Sequence, residues 1–150
     1  MKNVFFILTL MLFVSCSKGK ETIDYTAQND EEIQTYITNN NLDATKSATG
    51  MYYVIDELGD GNQPTQTDSV TVVYKGYYTN GSVFDQSDAN GISFSLQKVI
   101  EGWTEGITYF KEGGSGMLLI PSRLAYGSNN FRGIPGGSVL IFDIKLISVN

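Results

Sequence analysis

The chain lacks histidine entirely and has a single cysteine among its 150 residues. The absence of histidine excludes Ser/His/Asp and Cys/His nucleophile relays, together with every zinc site that depends on imidazole ligands. One cysteine can neither close an internal disulfide nor form a Cys-x-x-Cys motif. Any catalysis by this protein must therefore work without the most common general base of enzymes.

Basic residues are scarce as well, with 10 Lys and Arg against 16 Asp and Glu and a formal net charge of −6. Such a chain has little with which to neutralise a run of phosphates, so nucleic-acid binding is not expected. Paired acidic metal-binding motifs are also missing, which argues against a metal cofactor. The remaining balance, 41% apolar and 17% charged residues, is typical of one globular domain.

The N-terminal segment has the pattern of an export signal. Lys2 precedes an apolar run over residues 4–14 that is interrupted only by Thr9, and small residues lead to Cys16. The run has 11 residues, and a helix that crosses a bilayer needs roughly 20. The pattern therefore predicts a signal peptide over residues 1–15 and disfavours a permanent transmembrane anchor.

Residues 13–16, Phe-Val-Ser-Cys, resemble the bacterial lipobox, in which a signal peptidase cleaves before a lipid-modified cysteine. Phe13 stands where this motif usually has leucine. The alternative is an ordinary signal peptide followed by an incidental cysteine, but a sole cysteine at the cleavage position favours lipidation of Cys16. Two or three acyl chains would hold the protein firmly at a membrane. We therefore expect an exported protein that is lipid-anchored to the cell envelope, in the periplasm or at the outer membrane.

Residues 16–49 are rich in Asn, Thr, Asp and Gln and are interpreted as a tether with room for one short helix. A helix over about residues 30–40 is indicated by apolar residues at helical spacing, namely Ile33, Tyr36 and Ile37. Asn29 or Asp30 would cap its start. Such a helix could dock on the following domain, pair two chains, or remain a loosely attached spacer.

After the tether, short β-rich runs alternate with turn residues. Strands are predicted over residues 51–57, 70–79, 82–84, 92–96, 117–120 and 139–149. The pair Asn80-Gly81 predicts a tight hairpin, because both residues accept positive φ. Residues 99–110 instead carry apolar residues at steps of three and four, which predicts one short helix. The expected fold is α+β, with a curved antiparallel β-sheet wrapped around this helix.

Six segments of residues 50–150 resemble the FKBP-type peptidyl-prolyl cis-trans isomerases. They are VVYKG at 72–76, GSVFDQS at 81–87, VIEGWTEG at 99–106, LAYG at 124–127, GIP at 133–135 and LIFD at 140–143. The segments follow one another in the order and at the spacing of that family. Any one of them would be a weak signal, and their combination is specific.

The resemblance implies an FKBP-like domain with a pocket for a proline residue. In that family the indole at the position of Trp103 forms the floor, aromatic rings form the walls, and the tyrosine at the position of Tyr126 donates a hydrogen bond to a ligand carbonyl. The main-chain N–H at Ile100 binds a second carbonyl. The implied catalytic residues are Tyr74, Phe84, Asp85, Trp103, Tyr126 and Phe142. The implied substrate-binding residues are Ile92, Val99, Ile100, Phe131 and Ile134.

Two of the implied roles leave alternatives open. Asp85 could accept a hydrogen bond from a tyrosine such as Tyr74 and so hold the pocket, or it could face the twisted carbonyl carbon; the holding role is favoured. The aromatic residues could also be ordinary core residues, which is their usual fate in a small domain. Phe131 and Arg132 lie on a loop that would overhang the pocket, where they could select the residues that flank proline.

The implied chemistry needs no cofactor. Rotation about an X–Pro bond meets a barrier of about 20 kcal/mol, because amide resonance must be broken. An apolar pocket weakens the planar amide relative to its twisted form, since the planar form is the better hydrated of the two. We therefore expect an isomerase that acts on proline-containing unfolded or exported proteins. The alternative is a non-catalytic chaperone or a proline-motif binding module that uses the same pocket.

Overall fold

The computed structural model of the protein describes residues 22–150. The predicted signal peptide (1–15), the predicted lipidation site Cys16 and the first part of the predicted tether lie outside the described residues. Among residues 22–150, no helix combines the length and the apolar character that crossing a bilayer requires.

A seven-stranded antiparallel sheet is the frame of the molecule. Its strands are β1 (Thr45–Lys46), β2 (Tyr52–Glu57), β3 (Ser69–Tyr77), β4 (Val83–Gln86), β5 (Ile92–Ser95), β6 (Ser115–Ile120) and β7 (Leu140–Val149). The order across the sheet is β1-β2-β6-β7-β3-β4, and β5 also pairs with β3. The six predicted strands differ from β2 to β7 by at most two residues at either end. The predicted α+β class with an antiparallel sheet is confirmed.

The short helix α2 (Glu101–Gly106) lies against one face of the sheet and continues as a 3-10 turn, Ile107–Tyr109. A Cβ added at Gly102 would lie 2.5 Å from Cγ2 of Ile120 on β6. Glycine at this position therefore weakens the helix but lets its backbone approach the sheet more closely than any other residue would. The helix predicted over residues 99–110 is thus present, with its second part wound as a 3-10 turn.

The hairpin between β3 and β4 uses a different turn from the expected one. Gly81 alone adopts positive φ, at 85°. The Gly81 N–H donates to Tyr78 O at 2.8 Å, and the Tyr78 N–H donates to Ser82 O at 3.0 Å. Asn80 contributes its side chain, whose Oδ1 accepts from the Ser82 N–H at 2.9 Å. A type I turn followed by one left-handed glycine therefore joins the strands, with a shift of register between Gly76 and Tyr77.

Helix α1 spans Thr26–Asn39, so it begins about four residues before the predicted start. Neither Asn29 nor Asp30 caps it, because both lie inside the helix. The Thr26 N–H instead donates to Oδ1 of Asp24 at 2.9 Å. The side-chain amide of Asn29 instead binds Ser122 and Gly137, which are distant in the sequence. Asparagine, a residue type that often caps helices, therefore has a different role here.

Of the alternatives for this helix, docking on the domain is the one observed. Ile33 is 0% exposed and forms a second core, on the other face of the sheet, with residues that include Leu119 and Ile141. At the edge of this contact, Asp30 accepts from Lys46 Nζ at 2.7 Å and from Tyr52 Oη at 2.9 Å. The sheet is thus covered by α2 on one face and by α1 on the other.

Strand β7 is covered on both of its faces at its start. Leu140, Phe142 and Ile144 belong to the core beneath α2, whereas Ile141 belongs to the core beneath α1. Ile147 lies on the α1 side but beyond the helix, and it is 42% exposed. Further along the strand than Ile141, the α1 side carries Asp143 and exposed Lys145, so only the start of β7 has the apolar sequence of a strand with two covered faces.

Replacing Ile33 by alanine should lower the free energy of unfolding by about 3 kcal/mol, because it opens a cavity at the centre of the α1–sheet contact. Urea denaturation of wild type and variant gives this difference. Thr35→Ala, at an exposed position of the same helix, is the control and should change the free energy by less than about 0.5 kcal/mol. Equal stability of Ile33→Ala and wild type would contradict the docked position of α1.

Candidate active site

A cleft of about 580 Å³ opens above α2, beside the strands β3, β4 and β5. Nine of the eleven predicted pocket residues line it: Tyr74, Phe84, Asp85, Val99, Ile100, Trp103, Tyr126, Phe131 and Phe142. They come from strands β3, β4 and β7, from helix α2 with the segment before it, and from the connection between β6 and β7. The fold therefore gathers most of the predicted set around one opening.

Trp103 forms the base of the cleft and is only 3% exposed. Its indole meets the rings of Tyr74, Phe94 and Phe142 edge to face, with centroids 5.1, 5.4 and 5.3 Å away. This arrangement is the favoured one for aromatic pairs, because the positive edge of one ring faces the negative face of another. The buried Nε1 has no hydrogen-bond partner within residues 22–150.

The segment before α2 supplies a polar group to the cleft. Ile100 precedes the helix in extended conformation, and its carbonyl accepts from the main-chain N–H of Trp103 at 2.9 Å. The Ile100 N–H itself has no acceptor within the described part of the chain. The Thr104 hydroxyl donates to Leu96 O at 2.5 Å and ties the helix to the preceding turn. One main-chain donor is therefore held in place beside an apolar floor.

Tyr74 and Asp85 are joined across the cleft wall. The Tyr74 hydroxyl donates to Oδ2 of Asp85 at 2.6 Å. Burial, and after it the hydrogen bond to Asp85, raises the pKa of Tyr74, so the phenol stays protonated and remains a donor. The strands bring the two together, because Asp85 on β4 pairs with Gly76, two residues after Tyr74 on β3. This contact is the one that the holding role of Asp85 requires.

Gly76 leaves room for two rings of the wall. A Cβ at this position would lie 2.7 Å from Cζ of Phe84 and 2.9 Å from Cε1 of Phe142. These two rings meet edge to face at 5.6 Å. Gly76 belongs to the VVYKG segment, although no site role was predicted for it from the sequence. A glycine within a strand is a known sign of close approach.

A turn at residues 131–134 brings further rings to the rim of the cleft. Phe131 and Ile134 exchange two backbone hydrogen bonds of 2.9 Å, and the two residues between them, Arg132 and Gly133, have φ of 46° and 89°. This is the pattern of a type I′ turn. Phe131 stacks on Tyr126 at 4.7 Å, and the Arg132 guanidinium lies 5.3 Å from the Phe131 ring centre. Burial, and after it the charge of Asp85, raises the pKa of Tyr126, whose hydroxyl stays protonated.

Two predicted residues lie outside this cleft. Ile92 is 46% exposed at the start of β5, opposite Val72. Phe94 takes the wall position instead, because residues two apart in a strand share a face and only the second reaches the indole. Ile134 lines a smaller adjoining cavity behind Phe84 and Tyr126. The site proposed below therefore includes Phe94 and leaves out Ile92 and Ile134.

Three further residues of the cleft lining were not predicted from the sequence, namely Lys98, Glu101 and Ala125. Lys98 and Glu101 flank the Val99-Ile100 pair, so their neighbours in the chain were the signal that could have located them. Ala125 similarly precedes Tyr126. Within residues 22–150, His, Cys, Asp and Glu form no group of three that is suited to a metal ion.

Comparison with known proteins points to one family. The model of the family "FKBP-type peptidyl-prolyl cis-trans isomerase" matches residues 60–147. FkpA of Escherichia coli strain K12 is 46% identical over 105 residues, which are 69% of this chain and 39% of that protein. FkpA of Buchnera aphidicola subsp. Schizaphis graminum is 45% identical over 108 residues, 70% of this chain and 43% of that protein. The chain thus spans less than half the length of these curated relatives.

Solved structures have the same fold. The crystal structure of FkpA from Escherichia coli aligns with a TM-score of 0.74 at 38% identity, covering 83% of this chain and 61% of that one. A peptidyl-prolyl cis-trans isomerase from Pseudomonas syringae pv. tomato aligns with a TM-score of 0.72 at 30% identity, covering 86% and 98%. With a family model that matches more than half of its residues and neighbours of the same fold, this chain belongs to the FKBP-type peptidyl-prolyl cis-trans isomerase family.

Proposed function

We propose that this protein accelerates the cis-trans isomerisation of X–Pro bonds in unfolded or exported proteins. The observation that carries the proposal is the open, ring-walled cleft above the indole of Trp103. A pyrrolidine ring is apolar and compact, and it fits against such a floor through dispersion and burial. Membership of the family supports the same reaction.

Catalysis in this cleft rests on a difference in solvation and shape. The planar amide places partial charge on its oxygen and nitrogen and is well hydrated, whereas the twisted amide has lost that resonance. Transfer from water to the apolar cleft therefore weakens the planar form more than the twisted form. Binding that favours the twisted conformer lowers the barrier further.

Two donors orient the substrate in this proposal. The Tyr126 hydroxyl, at the rim, donates to one carbonyl of the bound segment, and the Ile100 N–H donates to another. With both carbonyls held, the proline ring rests on Trp103 and the X–Pro bond is free to rotate. Asp85 acts through Tyr74: its carboxylate accepts a hydrogen bond of 2.6 Å from the Tyr74 hydroxyl and so fixes the position of that ring. The reaction breaks no covalent bond, so no general base is needed.

We further propose that the protein is lipid-anchored through Cys16 after export. The support is the sequence pattern of residues 2–16, a basic start, a short apolar run and a sole cysteine after small residues. Residues between Cys16 and α1 would then serve as the tether from the cell envelope to the domain. An isomerase at this place would meet exported chains as they fold, when X–Pro isomerisation limits the rate.

The purified protein should accelerate isomerisation of a proline tetrapeptide in a protease-coupled assay, where the uncatalysed reaction takes tens of seconds. Tyr126→Phe removes one hydrogen bond to substrate and should lower kcat/KM about fivefold. Tyr53→Phe is the matched control, since Tyr53 stacks on Tyr109 and lies outside the cleft lining. No acceleration by wild type, together with assisted refolding of a client protein, would favour the binding module.

Asp85→Leu should lower kcat/KM about tenfold without unfolding the protein, because Tyr74 loses its charged hydrogen-bond acceptor. Tyr74→Phe should cost a similar factor, and the double variant should be no worse than the poorer single one. Asp143→Leu is the control, since Asp143 accepts from Tyr77 Oη at 2.8 Å outside the cleft lining. Full additivity of the two cleft substitutions would remove Asp85 from its proposed holding role.

Cells that express the chain should incorporate labelled palmitate into it, and Cys16→Ser should abolish the label because lipidation requires the thiol. Fractionation provides the second measurement: wild type should sediment with membranes and Cys16→Ser should not. The control is Ser17→Ala, which changes the neighbouring residue, leaves the thiol in place and should keep the label. Unlabelled wild type would refute the lipid anchor and leave the isomerase proposal untouched.

A further inference from the structure

Helix α1 carries one buried polar side chain that binds distant parts of the chain. Asn29 is 1% exposed, and Ser122 is the other buried polar residue within residues 22–150. Oδ1 of Asn29 accepts from the Ser122 N–H at 2.8 Å and from the Ser122 hydroxyl at 2.7 Å. Its Nδ2 donates to Gly137 O at 2.8 Å. Every contact of this amide therefore reaches a part of the chain more than ninety positions away.

The two partners of Asn29 are the two ends of one segment, residues 122–137, here called the rim segment. Ser122 begins a 3-10 turn, and its carbonyl accepts from the Ala125 N–H at 3.0 Å and from the Gly127 N–H at 2.8 Å. At the other end, the Gly137 N–H donates to Gly127 O at 2.9 Å. Tyr126 lies inside this closed ring of hydrogen bonds.

The rim segment carries cleft residues between its two fixed ends. Tyr126, Phe131 and Arg132 all lie within it, and all three line the cleft. Phe131 and Arg132 stack outward from Tyr126. The segment holds no regular strand or long helix, so its position over the cleft depends on the core contacts of Leu124 and Ile134 and on how its two ends are held.

A second contact from α1 fits the Gly137 end closely. A Cβ at Gly137 would lie 2.5 Å from Cε1 of Tyr25, the residue before the helix, and Gly137 has φ of 80°. The helix start therefore lies directly against the backbone that Asn29 binds. Loss of Asn29 would leave a buried N–H and a buried carbonyl unpaired, and unpaired buried groups are avoided by local rearrangement.

We propose that Asn29 is a positioning residue for the cleft: from α1 it fixes both ends of the rim segment, so that Tyr126 and Phe131 stand where substrate binds. This inference rests on the isomerase function proposed above. Asn29 touches no substrate, and it lies outside residues 60–147 that match the family. Displacement of Tyr126 and Phe131 would weaken substrate binding, because the hydroxyl that donates to the substrate carbonyl would no longer stand at hydrogen-bond distance from it.

Steady-state kinetics of Asn29→Ala is the first test. Release of the rim segment should raise KM about fivefold and leave kcat within about twofold, since the floor and Trp103 are unchanged. Ser122→Ala, which removes one of the two bonds at that end and keeps the main-chain bond, should raise KM by a smaller factor. Ile33→Ala is the matched control, because it weakens the docking of the same helix without contacting the rim segment, and its KM should equal that of wild type.

Amide hydrogen exchange is the second test, because it does not depend on activity. The Gly127 and Gly137 amides should exchange at least about tenfold faster in Asn29→Ala than in Ile33→Ala. Equal exchange in the two variants, or an equal rise of KM in Ile33→Ala, would overturn the proposal. Faster exchange with unchanged KM would also overturn it, since the contacts of Asn29 with the rim segment would then have no role in the reaction. An inactive wild type would refute the proposed function, and the exchange rates would still decide whether Asn29 holds the segment.

Discussion

The close approach of α2 to the sheet is the contact on which the cleft depends. A side chain at Gly102 would collide with Ile120, so any other residue would require the helix or the Ile120 side chain to move. With α2 this close to the sheet, the indole of Trp103 lies among three rings that meet it edge to face. These contacts orient the indole through ring electrostatics and burial, without a hydrogen bond to Nε1 within residues 22–150. A steric requirement at one glycine thus determines the floor of the site.

Charge in this site serves to hold rings in place. Asp85 binds the Tyr74 hydroxyl, and the raised pKa of Tyr74 keeps that hydroxyl protonated. Rotation about an amide needs no proton transfer, so a cleft for this reaction requires no residue that exchanges a proton with the substrate. The sequence has no histidine, and the cleft is lined largely by aromatic rings. Both suit a reaction governed by solvation and shape.

The sheet also has a second covered face, and the two faces are connected through the rim segment. Ile33 seals the core beneath α1, while Asn29, one helical turn earlier, binds Ser122 and Gly137. The same helix therefore supplies stability to one side of the sheet and fixes a boundary of the cleft on the other. A segment that looks like a linker by composition becomes part of the domain once its few apolar residues are buried.

Local patterns of the chain were enough to predict the strands, the short helix and most of the cleft. Alternation of apolar residues reflects the two-residue repeat of a strand, and the order of the FKBP-like segments indicated which residues surround Trp103. Tertiary contacts decided the rest. Asn29 has the local character of a helix cap, yet it is buried by partners 93 and 108 positions away. Phe94 and Ile92 share a strand face, and only packing against the indole selects Phe94. Short-range sterics act within a few residues and are visible in the sequence, whereas hydrogen bonds and ring contacts between distant residues arise only when the folded chain brings them together.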